Sequence, residues 1–324
     1  MKKWFVEKIL SSNKKTLQFI GATVLFVLFV YCFILFCGGT YFNSNSDDVA
    51  QYMPFLYQYI ENFKTGKLGW YNFLNNSGAS VWADAYYIPL DIFTLLILLL
   101  SYVMNYYVAF SIVNISKVLL GVVLFAYFLQ RKGFKNWIVM VLCFVYFCAG
   151  GPWMFATYPT YFSLFVYLPL SLLMVDYYCK GKKWLLPLYA CLLVFYNFYN
   201  AYTLYIFMAF VYVVVKIRDN YSGVKSLIKD VVVFGLHIVL GVLMGLVILL
   251  PSVLYVLNYT SRPESGFEFV FDIKVYGRML YNLFAYNSGV SGFAMNGDYI
   301  HQQFSYYVGS IGLLLLIMLC YRIC

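Results

Sequence analysis

The sequence predicts an all-α, polytopic transmembrane helical bundle with interfacial helices in its first outward loop, on three observations. Its 324 residues are 63% hydrophobic and only 11% charged, with a mean hydropathy of +0.77. An ordinary soluble domain is about a quarter charged, so this much apolar surface needs a bilayer to cover it. The apolar residues fall in runs of membrane-crossing length, beginning with residues 17–37. The basic residues gather between the runs, at Lys2, Lys3, Lys8, Lys14 and Lys15 and within 131–135, 180–183 and 216–229. Orientation signals are placed in this way, so the net charge of +9 does not argue for a nucleic-acid partner.

Short basic loops stay cytoplasmic, which puts the N-terminus inside and pairs the spans outward and inward. Eight crossings follow within a single transmembrane domain covering 1–324: 17–37, 106–130, 137–150, 161–178, 184–196, 201–215, 231–257 and 306–321. The first run exceeds a usual signal-peptide core and reads as a retained anchor. Two long segments then face outward, 38–104 and 258–305, and "NFYN" at 197–200 becomes an outward hairpin tip. The run 88–104 has no place in this parity. Pro89 and Asp91 near its start suit a helix that lies at the interface or dips in and out; a full crossing there would invert the later loops. The eight cysteines show no CxxC pairing and read as packing residues.

The first outward loop opens on an acidic pair, Asp47 and Asp48, in a chain with only 13 acidic residues. Behind it Val49, Tyr52, Met53, Leu56, Tyr57, Ile60 and Phe63 recur at helical spacing. They predict an amphipathic helix along the outer membrane face, capped by Ser46 or Asp47 and ended by Gly66. Capping accounts for one carboxylate and the helix dipole accommodates the other, yet neither explains why both stand at the exit of the first span. Asp84, with Trp70, Trp82, Tyr86 and Tyr87 nearby, is a second acidic candidate or an ordinary loop cap. Lys117 falls inside a span, where a charge costs at least a few kcal/mol unless it is paired or wetted. Asp91 is a conceivable partner; the alternatives are that Lys117 snorkels or that the span is shifted. His237 reads as a hydrogen-bonded core residue. Arg262, Lys274 and Arg278 supply positive charge in the last outward loop, Arg262 closest to a span exit. HExxH, GxSxG, Walker A and GxGxxG are all missing, so metalloprotease and soluble nucleotide chemistry have no support.

A series of short motifs runs in order along the chain. After the acidic pair come "QY" (Gln51, Tyr52), "PF" (Pro54, Phe55), "GW" (Gly69, Trp70) and "YY.P" (Tyr86, Tyr87, Pro89). Then follow "LPL" from Leu168, "NFYNAY" from Asn197, "LP" at Leu250 with "SR" at Ser261, and "YYVGSIGLLLL" from Tyr306. This order resembles the YfhO family of bacterial membrane proteins, which is similar to the GT-C class of integral membrane glycosyltransferases. The resemblance implies a GT-C-type bundle in the bacterial plasma membrane that moves a sugar from a polyprenyl-phosphate donor to an extracytoplasmic acceptor, such as a (lipo)teichoic acid or another cell-envelope polymer. It implies that Asp47 or Asp48 is catalytic and that a divalent cation, Mg or Mn, would bind there if anywhere. Such a transfer needs a base for the acceptor hydroxyl and positive charge for the departing phosphate, which marks Asp84, Tyr86, Tyr87, Lys117, Arg262 and Arg278 as substrate-binding candidates. The partners called for are membrane lipids, the polyprenyl-phosphate-linked sugar, the polymer acceptor, a donor synthase and a flippase.

Two departures qualify the match: the family often has Asp-Gly where this chain has Asp-Asp, and relatives continue beyond residue 324, which implies a short member or a chain truncated C-terminally. A transporter or flippase of a lipid-linked substrate is the rival reading, and a non-catalytic assembly partner a third. The predicted sidedness is checked by single-cysteine variants Asn75→Cys and Ser265→Cys: a membrane-impermeant maleimide should label both in intact cells, and labelling only after permeabilisation would reverse the topology.

Overall fold

The computed structural model describes residues 52–67, 71–72, 79–80, 90–147, 159–221 and 223–259, together with scattered helical positions between Gly21 and Cys32. The described elements are, in order, α1 (Met53–Lys64), β1 (Tyr71–Asn72), β2 (Ala79–Ser80), α2 (Ile92–Leu100), α3 (Tyr106–Arg131), α4 (Asn136–Phe147), α5 (Pro159–Phe162), α6 (Leu164–Cys179), α7 (Leu185–Tyr196), α8 (Phe198–Asn220), α9 (Val224–Met244) and α10 (Leu246–Tyr259). The two strands are two residues each and pair antiparallel, Tyr71 with Ser80; everything else regular is helix, an all-α membrane bundle. Four described stretches are long and apolar enough to cross a bilayer: Tyr106–Arg131, Pro159–Cys179, Phe198–Asp219 and Val224–Met244. Helices α4 and α7 are apolar but have 12 residues each, about 18 Å of rise.

The chain divides into two compact units, one built from Met1–Ile34, Phe125–Ala156 and Arg262–Cys324, the other from Leu35–Leu124 and Thr157–Ser261. In the first unit α4 buries Val139, Cys143 and Phe147 along one face, and Phe125 meets Tyr146 at 4.8 Å between ring centroids. The second, larger unit holds the rest.

Helix directions in the larger unit follow from its contacts. Lys117 of α3 reaches Pro159, and Gly121, one turn on, faces Phe165, so α3 and α6 run the same way. The starts of α6 and α8 meet through Tyr167 and Tyr196, whose ring centroids are 4.2 Å apart, with Asn200 bonded to Tyr196. Their far ends meet through Tyr178 and Tyr212 at 5.5 Å. Helix α9 begins where those two end, Phe234 lying 4.9 Å from Tyr178, so it runs opposite to them. Helix α7 parallels α9: Gly241 abuts Pro187 and Ala190, and Gly245 abuts Val194.

Glycine and proline set how closely these helices approach. Pro169 lies inside α6 and has no N–H for the carbonyl of Phe165, four residues earlier. An added Cβ on Gly121 would stand 2.1 Å from that same carbonyl oxygen, so the α3 backbone closes directly on it, in the manner of small-residue contacts between membrane helices. Gly241 and Gly245 form a G-x-x-x-G pair, the first of which would put a Cβ 2.3 Å from the Pro187 carbonyl.

Two sequence expectations change in detail, and a third, on 88–104, is sharpened. The basic stretch 216–229 is helix at both ends: α8 continues to Asn220 and α9 begins at Val224, because Lys216 pairs with Asp230 at 2.9 Å and Lys225 and Lys229 are exposed. The expected single span 231–257 is two helices, divided at Gly245. The run 88–104 contains a nine-residue helix, α2, about 13 Å long against a hydrocarbon core of about 30 Å, so it does not cross as one helix. In α1, Leu56 and Ile60 are fully buried and the helix stops before Gly66, at φ +67°, as the spacing predicts. Tyr57 and Phe63, however, are about half exposed, so the apolar stripe is narrower than the periodicity predicts. The cap expected at Ser46 or Asp47 lies outside the described residues. Cys32, Cys143, Cys179 and Cys191 are free thiols.

Gly121→Ala should lower the midpoint of thermal unfolding in detergent, an overpacking cost of about 1–3 kcal/mol. Gly235→Ala, where an added Cβ meets nothing within 4 Å, should leave the midpoint in place or raise it. Equal behaviour of the two variants would contradict the close approach.

Candidate functional site

The buried polar groups of the larger unit converge where the start of α2, the middle of α3, α5, the first turns of α6 and the α7–α8 turn meet. Asp91 is the N-cap of α2, extended at φ −106° and ψ 177°, and only 8% exposed. Its Oδ1 accepts from the backbone N–H groups of Phe93 and Thr94, each at 3.0 Å, as an N-cap should. Its Oδ2 accepts from the Tyr167 hydroxyl at 3.0 Å. The preceding residue is tied down too, Leu90 N donating to Phe195 O at 3.0 Å. Burial raises the Asp91 carboxyl above its ordinary range; the charge of Lys117 and the hydrogen bonds from Thr94, Tyr167 and Phe93 oppose that rise.

Lys117 is 1% exposed, so it does not snorkel. Its Nζ donates to Pro159 O at 3.2 Å and stands 5.3 Å from the centroid of the Phe93 ring, a cation–π distance. Asp91 supplies the facing negative charge, as the sequence suggests. Both Asp91 oxygens are already taken by N–H and O–H donors, so the carboxylate answers Lys117 through its field and is no free base.

The cluster also repairs a broken span. The stretch Pro159–Cys179 is interrupted at Ser163, whose ψ of −15° departs from ideal helix. Near such a break, carbonyls at membrane depth cost several kcal/mol if left without donors. Here Pro159 O accepts from Lys117 and from Ser163 Oγ, the latter at 2.9 Å, and Thr160 O accepts from the Tyr196 hydroxyl. Tyr196 in turn accepts from Asn200 Nδ2 at 3.2 Å, while the Asn197 side chain caps α8 by accepting from Asn200 N at 2.9 Å. The Tyr189 hydroxyl donates to Tyr167 O at 2.7 Å, extending the network down α6.

Of the residues picked out by sequence, Asp47, Asp48, Asp84, Tyr86, Tyr87, Arg262 and Arg278 lie outside the described residues, as do Trp70, Trp82 and Lys274. Lys117 is described, and its contacts make it a brace between α3, the broken span and the N-terminal turn of α2. Among the described residues no group of three His, Cys, Asp or Glu side chains could hold a metal ion. His237 is hydrogen-bonded as expected, its Nδ1 lying 2.7 Å from Val233 O, but it is half-buried and not a core residue. Nothing in the sequence singles out Tyr167, Tyr189 and Tyr196, because 34 tyrosines offer no contrast. Asn197 and Asn200 were visible only as part of "NFYNAY", and the cap spacing between them was the available physical signal.

Replacing Lys117 by Met should destabilise the protein by about 3–5 kcal/mol, the usual cost of leaving one buried charge unanswered. The double variant Lys117→Met with Asp91→Asn should lose less than the two single losses combined. Thermal unfolding of the four proteins gives the comparison, and strictly additive losses would show that the two charges are independent.

The family described as "Bacterial membrane protein YfhO" matches residues 18–322. No curated protein and no solved structure matches the chain. The match covers the acidic pair, the broken span and all of the described helices, and on it the chain belongs to the YfhO family of bacterial membrane proteins.

Proposed function

We propose that the chain is a membrane glycosyltransferase of GT-C type that moves a sugar from a polyprenyl-phosphate carrier to an extracytoplasmic cell-envelope polymer such as a (lipo)teichoic acid. The observation that carries this reading is where the first-loop helices are held. Asp91 of α2 is bonded to the first turns of α6, and the Met53 carbonyl of α1 meets the Tyr106 hydroxyl, at the start of α3, at 3.4 Å. Both contacts lie at the end of the larger unit away from the basic C-terminal ends of α6 and α8. Basic flanks stay cytoplasmic, which supports an outward-facing position for this end. Asp47 and Asp48 precede Tyr52 by five and four residues, on the segment that leads into α1.

In this reaction the acceptor hydroxyl attacks the sugar C1 and the bond from C1 to the carrier phosphate oxygen breaks. The hydroxyl proton passes to the carboxylate of Asp47 or Asp48. The phosphate keeps the bonding electron pair and leaves as polyprenyl phosphate, its charge met by Arg262 and Arg278. Asp84, Tyr86 and Tyr87 line the sugar, tyrosine rings stacking on its apolar face. Lys117 contributes by holding α2 and the broken span in register. A divalent cation, Mg or Mn, bound by Asp47 and Asp48 would add positive charge opposite the phosphate.

One observation favours the second reading, a transporter or flippase of the same lipid-linked sugar: broken spans with freed carbonyls line substrate paths in transporters. In this chain those carbonyls are occupied by Lys117, Ser163 and Tyr196, which favours the enzyme. Cells carrying the Asp47→Asn, Asp48→Asn double variant should lose polymer-bound sugar to background at equal expression, since a missing general base costs about 10²- to 10⁴-fold. Unchanged sugar content would reject catalysis, and acceptor-free movement of the lipid-linked sugar across proteoliposomes would establish the transporter.

A further inference from the structure

The opposite end of the larger unit carries a second arrangement. Tyr178, near the end of α6, is met edge-on by Tyr212 of α8 at 5.5 Å and by Phe234 and His237 of α9 at 4.9 and 5.4 Å. Tyr212 and Phe234 stack at 4.4 Å. These contacts set the end of α6 beside the third and fourth turns of α9, and this end of the unit carries the seven basic residues between Lys180 and Lys229. Three are answered locally: Lys180 by Asp176 at 3.1 Å, Lys216 by Asp230 at 2.9 Å and Arg218 by Asp219 at 2.6 Å.

The other four are Lys182, Lys183, Lys225 and Lys229, all exposed. Among the described residues none of them has a carboxylate within ion-pair distance. Lys182 and Lys183 lie over the rings of Tyr177 and Tyr178, at 5.1 and 5.8 Å, which fixes their stems and leaves the ammonium groups outward. Lys225 and Lys229 stand one turn apart on α9. Next to them Ile228, Val232, Leu236, Leu240 and Leu243 are each more than half exposed, an apolar stripe along a helix that is far less buried than Pro159–Cys179.

We propose that this end of the unit is a binding surface for anionic phospholipid, with Lys225 and Lys229 meeting the phosphodiester headgroup above the α9 stripe that carries the acyl chains, and Lys182 and Lys183 adding cationic charge at the same end. Charge complementarity and the direct continuation of the cationic patch into an exposed apolar stripe fit a lipid, whereas an acidic peptide would match the lysines alone. The site does not depend on whether the chain transfers sugar.

The test uses the full chain in phosphatidylcholine bilayers containing a trace of spin-labelled phosphatidylglycerol or spin-labelled phosphatidylcholine, with protein-bound lipid read by electron paramagnetic resonance. A cationic side chain near the surface is worth about 1 kcal/mol toward anionic lipid, roughly fivefold in affinity, so the native chain should prefer phosphatidylglycerol by roughly fivefold or more. Raising salt to about 0.5 M should weaken the preference. The variant with Lys182, Lys183, Lys225 and Lys229 all changed to Gln should fall to within about twofold at an unchanged melting temperature. A variant with Lys14, Lys15, Lys132 and Lys135 changed to Gln, which removes the same charge elsewhere, should keep the preference. Should the first variant not fold, the pairs Lys182→Gln, Lys183→Gln and Lys225→Gln, Lys229→Gln should each lower it in part. No preference in the native chain, or an equal loss in both quadruple variants, would overturn the site.

Discussion

A lysine ammonium closed off from water inside an apolar bundle is the constraint around which the larger unit is arranged. Desolvating such a charge costs several kcal/mol, and the unit answers it with a backbone carbonyl from one segment and an aromatic face and the field of one carboxylate from another. None of the three would be where it is without a local irregularity. The carbonyl comes from beside the break at Ser163, the ring and the carboxylate from the capped start of a helix too short to cross. Charge, helix break and short capped helix therefore stabilise one another, and removing any one exposes the others to an apolar environment.

The same economy governs the helix contacts. Pro169 deprives Phe165 of its N–H partner, and the glycine of α3 lets a neighbouring backbone close over that oxygen. The G-x-x-x-G pair of α9 does the same for α7. Lipid gives no hydrophobic drive for helix association, so close backbone approach and satisfied carbonyls hold the unit together. The resulting directions place the first-loop helices at one end and the exposed lysines of the α6–α7 turn and α9 at the other. That polarity is the basis for assigning chemistry to one end and lipid contact to the other.

Much of this was legible in the sequence. Apolar run lengths and the spacing of basic residues identify the membrane class, and the excess charge at Lys117, with Asp91 as its partner, stands out because both residues occur where charge is rare. Pro89 and Asp91 argue against a full crossing at 88–104, where the structure has a nine-residue helix, but they do not reveal the cap role of Asp91. What the sequence could not reveal is which tyrosines matter, since hydroxyl donors to freed carbonyls look like any other aromatic in an aromatic-rich chain. It also misplaced the edges of α8 and α9, because lysines at a helix end that point into water do not interrupt the helix. The division at Gly245 was hidden for a similar reason: glycine in an apolar run can signal close packing or a break, and here it serves both.

The central claim is that Lys117 couples the short first-loop helix to the broken span. Hydrogen–deuterium exchange of the purified chain and of its Lys117→Met variant tests it most directly. Residues 92–100 and 159–163 should lose protection together in the variant, while the α7–α9 contact around Gly241 stays protected. Unchanged exchange in both segments, or loss of protection spread evenly through the bundle, would contradict the coupling.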